Sequence, residues 1–138
     1  MRELSVLGLA LGSLALIALA VFGLNDRQTL TSPPEAVAED FVRRLAAHRP
    51  ERARDRLSEG ARPAYSANNL SAWFRDVESV VDPIDHIGGK DPGMGEDEAW
   101  ATVSVENGQH KVDIRLSLVL ENGQWRVDKL PGPDEFSP

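Results

Sequence analysis

The sequence predicts an α+β domain of about three helices packed on a curved antiparallel sheet, behind an N-terminal transmembrane helix. Three observations carry this. Two Asn-Gly pairs, Asn107-Gly108 and Asn122-Gly123, separate segments of alternating hydropathy. Asn-Gly in that setting is the strongest short-range hairpin signal. Upstream, two stretches place apolar residues at helical spacing. From Leu4 to Leu24, no charge appears over 21 residues.

That apolar run comes first in the chain. At ~1.5 Å per residue it measures ~30 Å as a helix, the thickness of a bilayer core. Arg2 and the α-amino group precede it and Arg27 follows, a small bias placing the N-terminus in the cytoplasm and the domain outside. The rival reading is a cleaved signal. Ala18-Leu19-Ala20 has the small-x-small form, so the alternative is a protein secreted after cleavage near Ala20. Val21 to Leu24 continue the apolar run past that point, which favours an anchor in the cell membrane. The chain therefore divides into an anchor and spacer at 1–30, an α+β domain at 31–130 and a flexible tail at 131–138.

The first soluble helix opens at "TSPPEAVAEDFVRRLAAH". Ser32 is placed as N-cap, Pro33 at the first helical position and Glu35 at N3, a capping box. Val37, Ala38, Phe41, Val42 and Leu45 form one apolar face. Glu39/Arg43 and Asp40/Arg44 are i,i+4 pairs on the other. A short helix follows, ended by Gly60. Residues 43–62 carry seven arginines against Glu51, Asp55 and Glu59. This stretch reads either as a solvated helix face or as a contact for anionic headgroups. The next helix spans 69–81, with Leu70, Trp73, Phe74, Val77, Val80 and Val81 on one side. Asn69-Leu70-Ser71 matches the glycosylation sequon, a weak signal. Pro83 ends the helix, "IDHIGG" reads as a short edge strand, and "GGKDPGMGEDE" as a loop. That loop is neither a phosphate loop, since Asp91 follows Gly89-Lys90, nor a calcium loop, since its acids have the wrong spacing.

Two-residue turns at both Asn-Gly pairs set the register of a three-stranded meander. They pair Glu106 with Gln109, Val105 with His110, Val103 with Val112, Leu120 with Trp125 and Leu118 with Val127. His110, Val112, Ile114, Leu116, Leu118 and Leu120 then share one face. Thr102, Ser104, Asp113, Arg115 and Asp128 lie on the wet face, where Trp100 meets Arg115. Gly108 and Gly123 are expected at positive φ, and Gly93 is expected to be the more replaceable glycine.

Composition narrows function. The 138 residues contain no cysteine, which removes disulfides, thiolate nucleophiles and cysteine zinc sites. The formal charge of -7 sits entirely on residues 31–138, which argues against nucleic acid as a partner. Three histidines without mutual spacing predict no metal site and no cofactor.

The helix "AVAEDFVRRLAAHRPERARDRL", a later amphipathic helix and strands ending in "ENGQWRVDKL" resemble the nuclear transport factor 2-like superfamily. The match is best with bacterial extracytoplasmic members. Gly123, Trp125 and Val127 fit the Gly-x-Trp-x-Val of their last hairpin. The resemblance implies a cone whose helices lean on a curved sheet around an apolar pocket. Enzymes of that superfamily carry Asp, His or Tyr inside the cone. Here the pattern puts only His110 there, near the rim, and turns Asp113 outward. Tyr65 and His86 lie on segments whose direction the sequence leaves open. The expected role is a membrane-tethered, noncatalytic interaction or assembly module with an unidentified protein partner and no catalytic residues. Tyr65, His110 and Trp125 at the cone mouth are the candidate ligand or partner contacts. The alternatives are a binder of a small apolar ligand and a pocket enzyme of isomerase, dehydratase or hydrolase type.

Overall fold

The computed structural model describes residues 32–136. The segment from Leu4 to Leu24 lies outside them, as do its expected span and cleavage point. Among the described residues, no helix is long and apolar enough to cross a membrane. The elements are α1 (Pro34–Ala46), α2 (Pro50–Arg54), a 3-10 turn (Arg62–Ala64), α3 (Ala67–Val80), β1 (His86–Met94), β2 (Glu98–Glu106), β3 (Lys111–Glu121), β4 (Gln124–Lys129) and a second 3-10 turn (Pro133–Glu135). The strands form one antiparallel sheet in the order β1-β2-β3-β4.

Helix α1 begins one residue later than the sequence pattern suggests. Pro33 is the N-cap, extended at φ -67° and ψ 156°, and makes no side-chain capping bond itself. A residue preceding proline is driven out of the α region, so Pro34 holds Pro33 extended. The Pro33 carbonyl accepts the amides of Ala36 and Val37. The apolar face is as expected: Val37, Ala38, Phe41, Val42 and Leu45 are all buried. Both expected ion pairs form on the solvent side, Glu39–Arg43 at 2.8 Å and Asp40–Arg44 at 2.9 Å.

Helix α2 stops at Arg54, well before Gly60. The following residues are drawn into the sheet. Ser58 N–H donates to the Val127 carbonyl and Val127 N–H to the Arg56 carbonyl, both at 2.8 Å, and Leu57 bridges Val127 in parallel. Residues 56–58 thus lie along the free edge of β4. Helix α3 starts earlier than expected because Ser66 and Asn69 form a reciprocal capping box. Asparagine at N3 does the work usually assigned to Glu or Gln. The helix ends at Val80, which is exposed, while Val81, in extended backbone, turns inward and is buried.

The acidic, glycine-rich stretch is strand rather than loop. Residues Gly89 to Met94 belong to β1, with a bulge between Lys90 and Gly93. Gly93 lies beneath the Trp100 indole of β2, which a Cβ at 93 would strike. The Arg115 guanidinium sits 5.1 Å over the same ring. It does so diagonally, since Trp100 pairs directly with Ser117.

The two Asn-Gly sequences make different loops. At the second, Leu120 pairs with Trp125 and Leu118 with Val127, as expected. Asn122 and Gly123 have φ 52° and 79°, the values a type I′ turn requires. At the first, Glu106 pairs with Lys111, two residues beyond the expected Gln109. The Asn107 carboxamide oxygen accepts the amides of Gln109 and His110, each at 2.8 Å, and its Nδ2 donates to the Pro83 carbonyl. This Asx turn widens the loop to four residues, and Gly108 has no positive φ. A shift of two leaves each side chain on its original face, so Val112, Ile114, Leu116 and Leu118 still point inward and are buried. His110 drops out of the ladder into the loop and is exposed.

The core lies between this face and the helices. Helix α1 lies against β1, β2 and β4, and α3 reaches β3. Phe41, Val42, Leu70, Val77, Val103, Val105, Ile114 and Leu116 are wholly buried, each worth ~1.5–3 kcal/mol. Residues 131–136, expected as a flexible tail, cross α3. Trp73 Nε1 donates to the Pro131 carbonyl at 2.7 Å, and Phe136 meets the Trp73 ring edge-on at 5.7 Å.

These loops predict a ranking among glycines. Gly123→Val should cost ~1–2 kcal/mol, because a side chain is strained at that φ. Gly93→Val should lower the melting temperature by displacing Trp100. Gly108→Val should stay within ~0.5 kcal/mol of the parent. Thermal melts of the three variants check this; equal losses at Gly108 and Gly123 would show that both loops share one geometry.

Candidate functional site

Tyr65, His110 and Trp125 do not converge. Trp125 is buried opposite Leu120, at the end of β3. His110 precedes the start of β3. Ten residues of strand separate the two ends, on the order of 30 Å. Tyr65 lies between α2 and the chain after β4. Its carbonyl accepts Arg54 Nε at 2.9 Å, and its hydroxyl accepts the Leu130 amide at 3.4 Å. Trp125 is a core residue, Tyr65 a half-buried spacer and His110 a solvated loop residue.

The apolar face of the sheet is covered by side chains. Ala99, Ala101, Val103 and Val105 of β2 and the inward residues of β3 meet Phe41, Val42, Phe74 and Val77, all buried. An open groove of about 670 Å³ instead lies between the C-terminal ends of α1 and α3 and the start of β1. Ala46, Val81, Ile84 and Ile87 make its apolar floor, and Glu78, Asp82, Asp85, His48 and His86 stand around it. His48 Nε2 lies 3.9 Å from Glu78. The sequence signal for this groove was the acid-rich run on either side of Pro83, which pattern alone assigned to a helix stop.

The basic stretch is largely consumed within the fold. Arg44 donates to the Arg52 carbonyl, Arg54 to the carbonyls of Tyr65 and Arg62, and Arg56 to Asp40 at 2.7 Å. Arg43 donates to the Ile87 carbonyl at 2.6 Å. Four of the seven guanidiniums thus hold backbone or a neighbouring acid.

Two carboxylates sit in shaped polar sites. Glu39 accepts the Gly89 amide at 2.9 Å and pairs with Arg43. The Gly89 N–H, reinforced by Arg43, holds the Glu39 carboxyl below the usual carboxylate range. Gly89 is required there, because a Cβ would strike the Glu35 carbonyl of α1. Burial alone would raise Asp113, but the Ser104 hydroxyl at 2.6 Å and the charges of Lys90 and Lys111 outweigh it and leave its pKa lowered. Ser104, expected to be wet, is buried by this contact. Ser58 makes the same bond to Asp128 at 2.6 Å. Among the described residues no group of three or more His, Asp or Glu is placed to hold a metal.

The sequence matches no protein-family profile and no curated protein. Solved structures do share the fold. One is a Campylobacter jejuni protein provisionally described as an NTF2-like transpeptidase. It superposes with a TM-score of 0.56 at 14% identity, over 71% of this chain and 99% of its own. The architecture is therefore the nuclear transport factor 2-like fold, with helices packed on a four-stranded antiparallel sheet.

Both lowered carboxyls predict acid sensitivity. Their stabilisation is complete above the ordinary carboxylate pKa and is lost as pH falls through the lower folded value. The melting temperature should therefore fall below about pH 4, and less steeply in Glu39→Gln and Asp113→Asn than in the parent. Parallel slopes in all three would remove both groups from the account.

Proposed function

We propose that this chain is a membrane-tethered, noncatalytic module outside the cytoplasm that works by contact with a protein partner. The observation that carries this reading is the packed apolar face of the sheet, where Phe41, Val42, Phe74 and Val77 are buried with the inward residues of β2 and β3 and none of these is polar. The distribution of chemistry supports it. Ser58 and Ser104 are buried, with hydroxyls committed to Asp128 and Asp113. A peptide cannot reach either, and the chain has no thiol, so the transpeptidase description of the C. jejuni protein finds no acyl acceptor among these groups. Tethering raises the local concentration of a partner, so weak contacts suffice.

A second reading rests on the open groove. Its apolar floor and the adjacent His86 suit a small ligand or a pocket reaction better than the packed face of the sheet does. The readings separate in cells. On the contact reading, replacing His86 and His110 by alanine leaves the phenotype intact and deleting residues 1–24 abolishes it. An essential histidine with a dispensable N-terminus supports the groove instead. Alkaline carbonate extraction checks the tether. The protein should stay with the membrane at full mass, and a soluble product beginning at Val21 overturns the tether.

A further inference from the structure

A sheet edge exposes unpaired amides and carbonyls, and an unguarded edge pairs with another chain. In this sheet the β4 edge is covered by residues 56–58 through the Val127 hydrogen bonds. Among the described residues the β1 edge has no strand beside it. On β1, Ile87 and Gly89 direct their backbone groups away from β2. One group of each is held by α1: Arg43 donates to the Ile87 carbonyl, and Glu39 accepts the Gly89 amide. The two side chains are joined to each other at 2.8 Å. Further along, the bulge at Asp91 and Pro92 breaks the ladder and leaves only 86–90 regular enough to pair.

We propose that the Glu39–Arg43 pair is an edge guard, and that its release turns β1 into a pairing surface for β1 of a second copy. The occupant follows from the other edge. With β4 covered, β1 is the edge a second copy can offer, so the contact is isologous and closes at a dimer. Ile87 and Gly89 flank Gly88 symmetrically. A twofold axis through Gly88 pairs each with the other's counterpart in antiparallel register. Gly88 then faces Gly88 of the second copy in a non-hydrogen-bonded pair, whose Cα atoms lie ~4.5 Å apart. That spacing falls within the range a disulfide spans.

The absence of native cysteine makes the test clean. Gly88→Cys is introduced into the full-length chain in detergent, with the guard intact and with Glu39→Ala and Arg43→Ala combined. The added Cβ meets only the movable end of His86, at 3.0 Å. The disulfide-linked dimer should form readily in the unguarded chain and be several-fold weaker in the guarded one. Equal crosslinking in both overturns the guard. A folded, unguarded chain that stays monomeric overturns the pairing surface. If the double substitution prevents folding, Glu39→Ala alone serves, since it removes the acceptor, read by hydrogen exchange of the Gly89 amide. Exchange should rise by about tenfold or more, and unchanged exchange overturns the proposal.

Discussion

Backbone groups at the margin of a sheet must find partners, and in this domain that requirement governs where the other elements go. Helix α1 cannot simply lie anywhere on the apolar face. It must come close enough to β1 for Glu39 and Arg43 to reach the edge. That approach needs Gly89, because any side chain there meets the Glu35 carbonyl. It also needs Phe41 and Val42 to seat the helix at the right height over the sheet. On the far side the same requirement shortens α2 and turns residues 56–58 into a strand-like strip beside Val127. The two margins are closed by different means, one by side chains and one by main chain.

The parts of the fold legible in sequence were those set by local periodicity. The burial of Val37, Phe41, Val42 and Leu45, and the register at Leu120 and Trp125, follow from spacing alone. Strand β1 was legible only at its start, where "IDHIGG" reads as an edge strand; its continuation to Met94 was not. Its residues, Gly88-Gly89-Lys90-Asp91-Pro92-Gly93, have poor strand propensity, and pairing with β2 overrides it. Their glycines mark close approach, at Glu35 and at Trp100, rather than a loop. The candidate site was less legible still. His110 was placed on the inner face by a register two residues short, and Trp125 was set at a mouth that core packing closes.

The repeated tetrapeptide shows why. Glu106-Asn107-Gly108-Gln109 and Glu121-Asn122-Gly123-Gln124 are identical, yet one makes a four-residue loop and the other a two-residue turn. The difference comes from outside the tetrapeptide. Asn107 Nδ2 donates to the Pro83 carbonyl, and the chain around Pro83 is brought there by α3 and β1. Turn chemistry proposes a geometry, and a tertiary contact selects it.

The arginines have a further consequence. A guanidinium bonded to a neutral carbonyl has spent donors but kept its charge. Arg54 makes two such bonds and Arg126 one, to the Asp55 carbonyl, whereas Arg43 and Arg44 also bond carbonyls but are neutralised by Glu39 and Asp40. The forked geometry that would grip a phosphate or carboxylate bidentately is partly occupied, while the positive field persists into solvent. The surface around Arg54 and Arg126 therefore attracts from a distance more than it holds at contact. An approaching anionic surface would be oriented by it and then left free to slide.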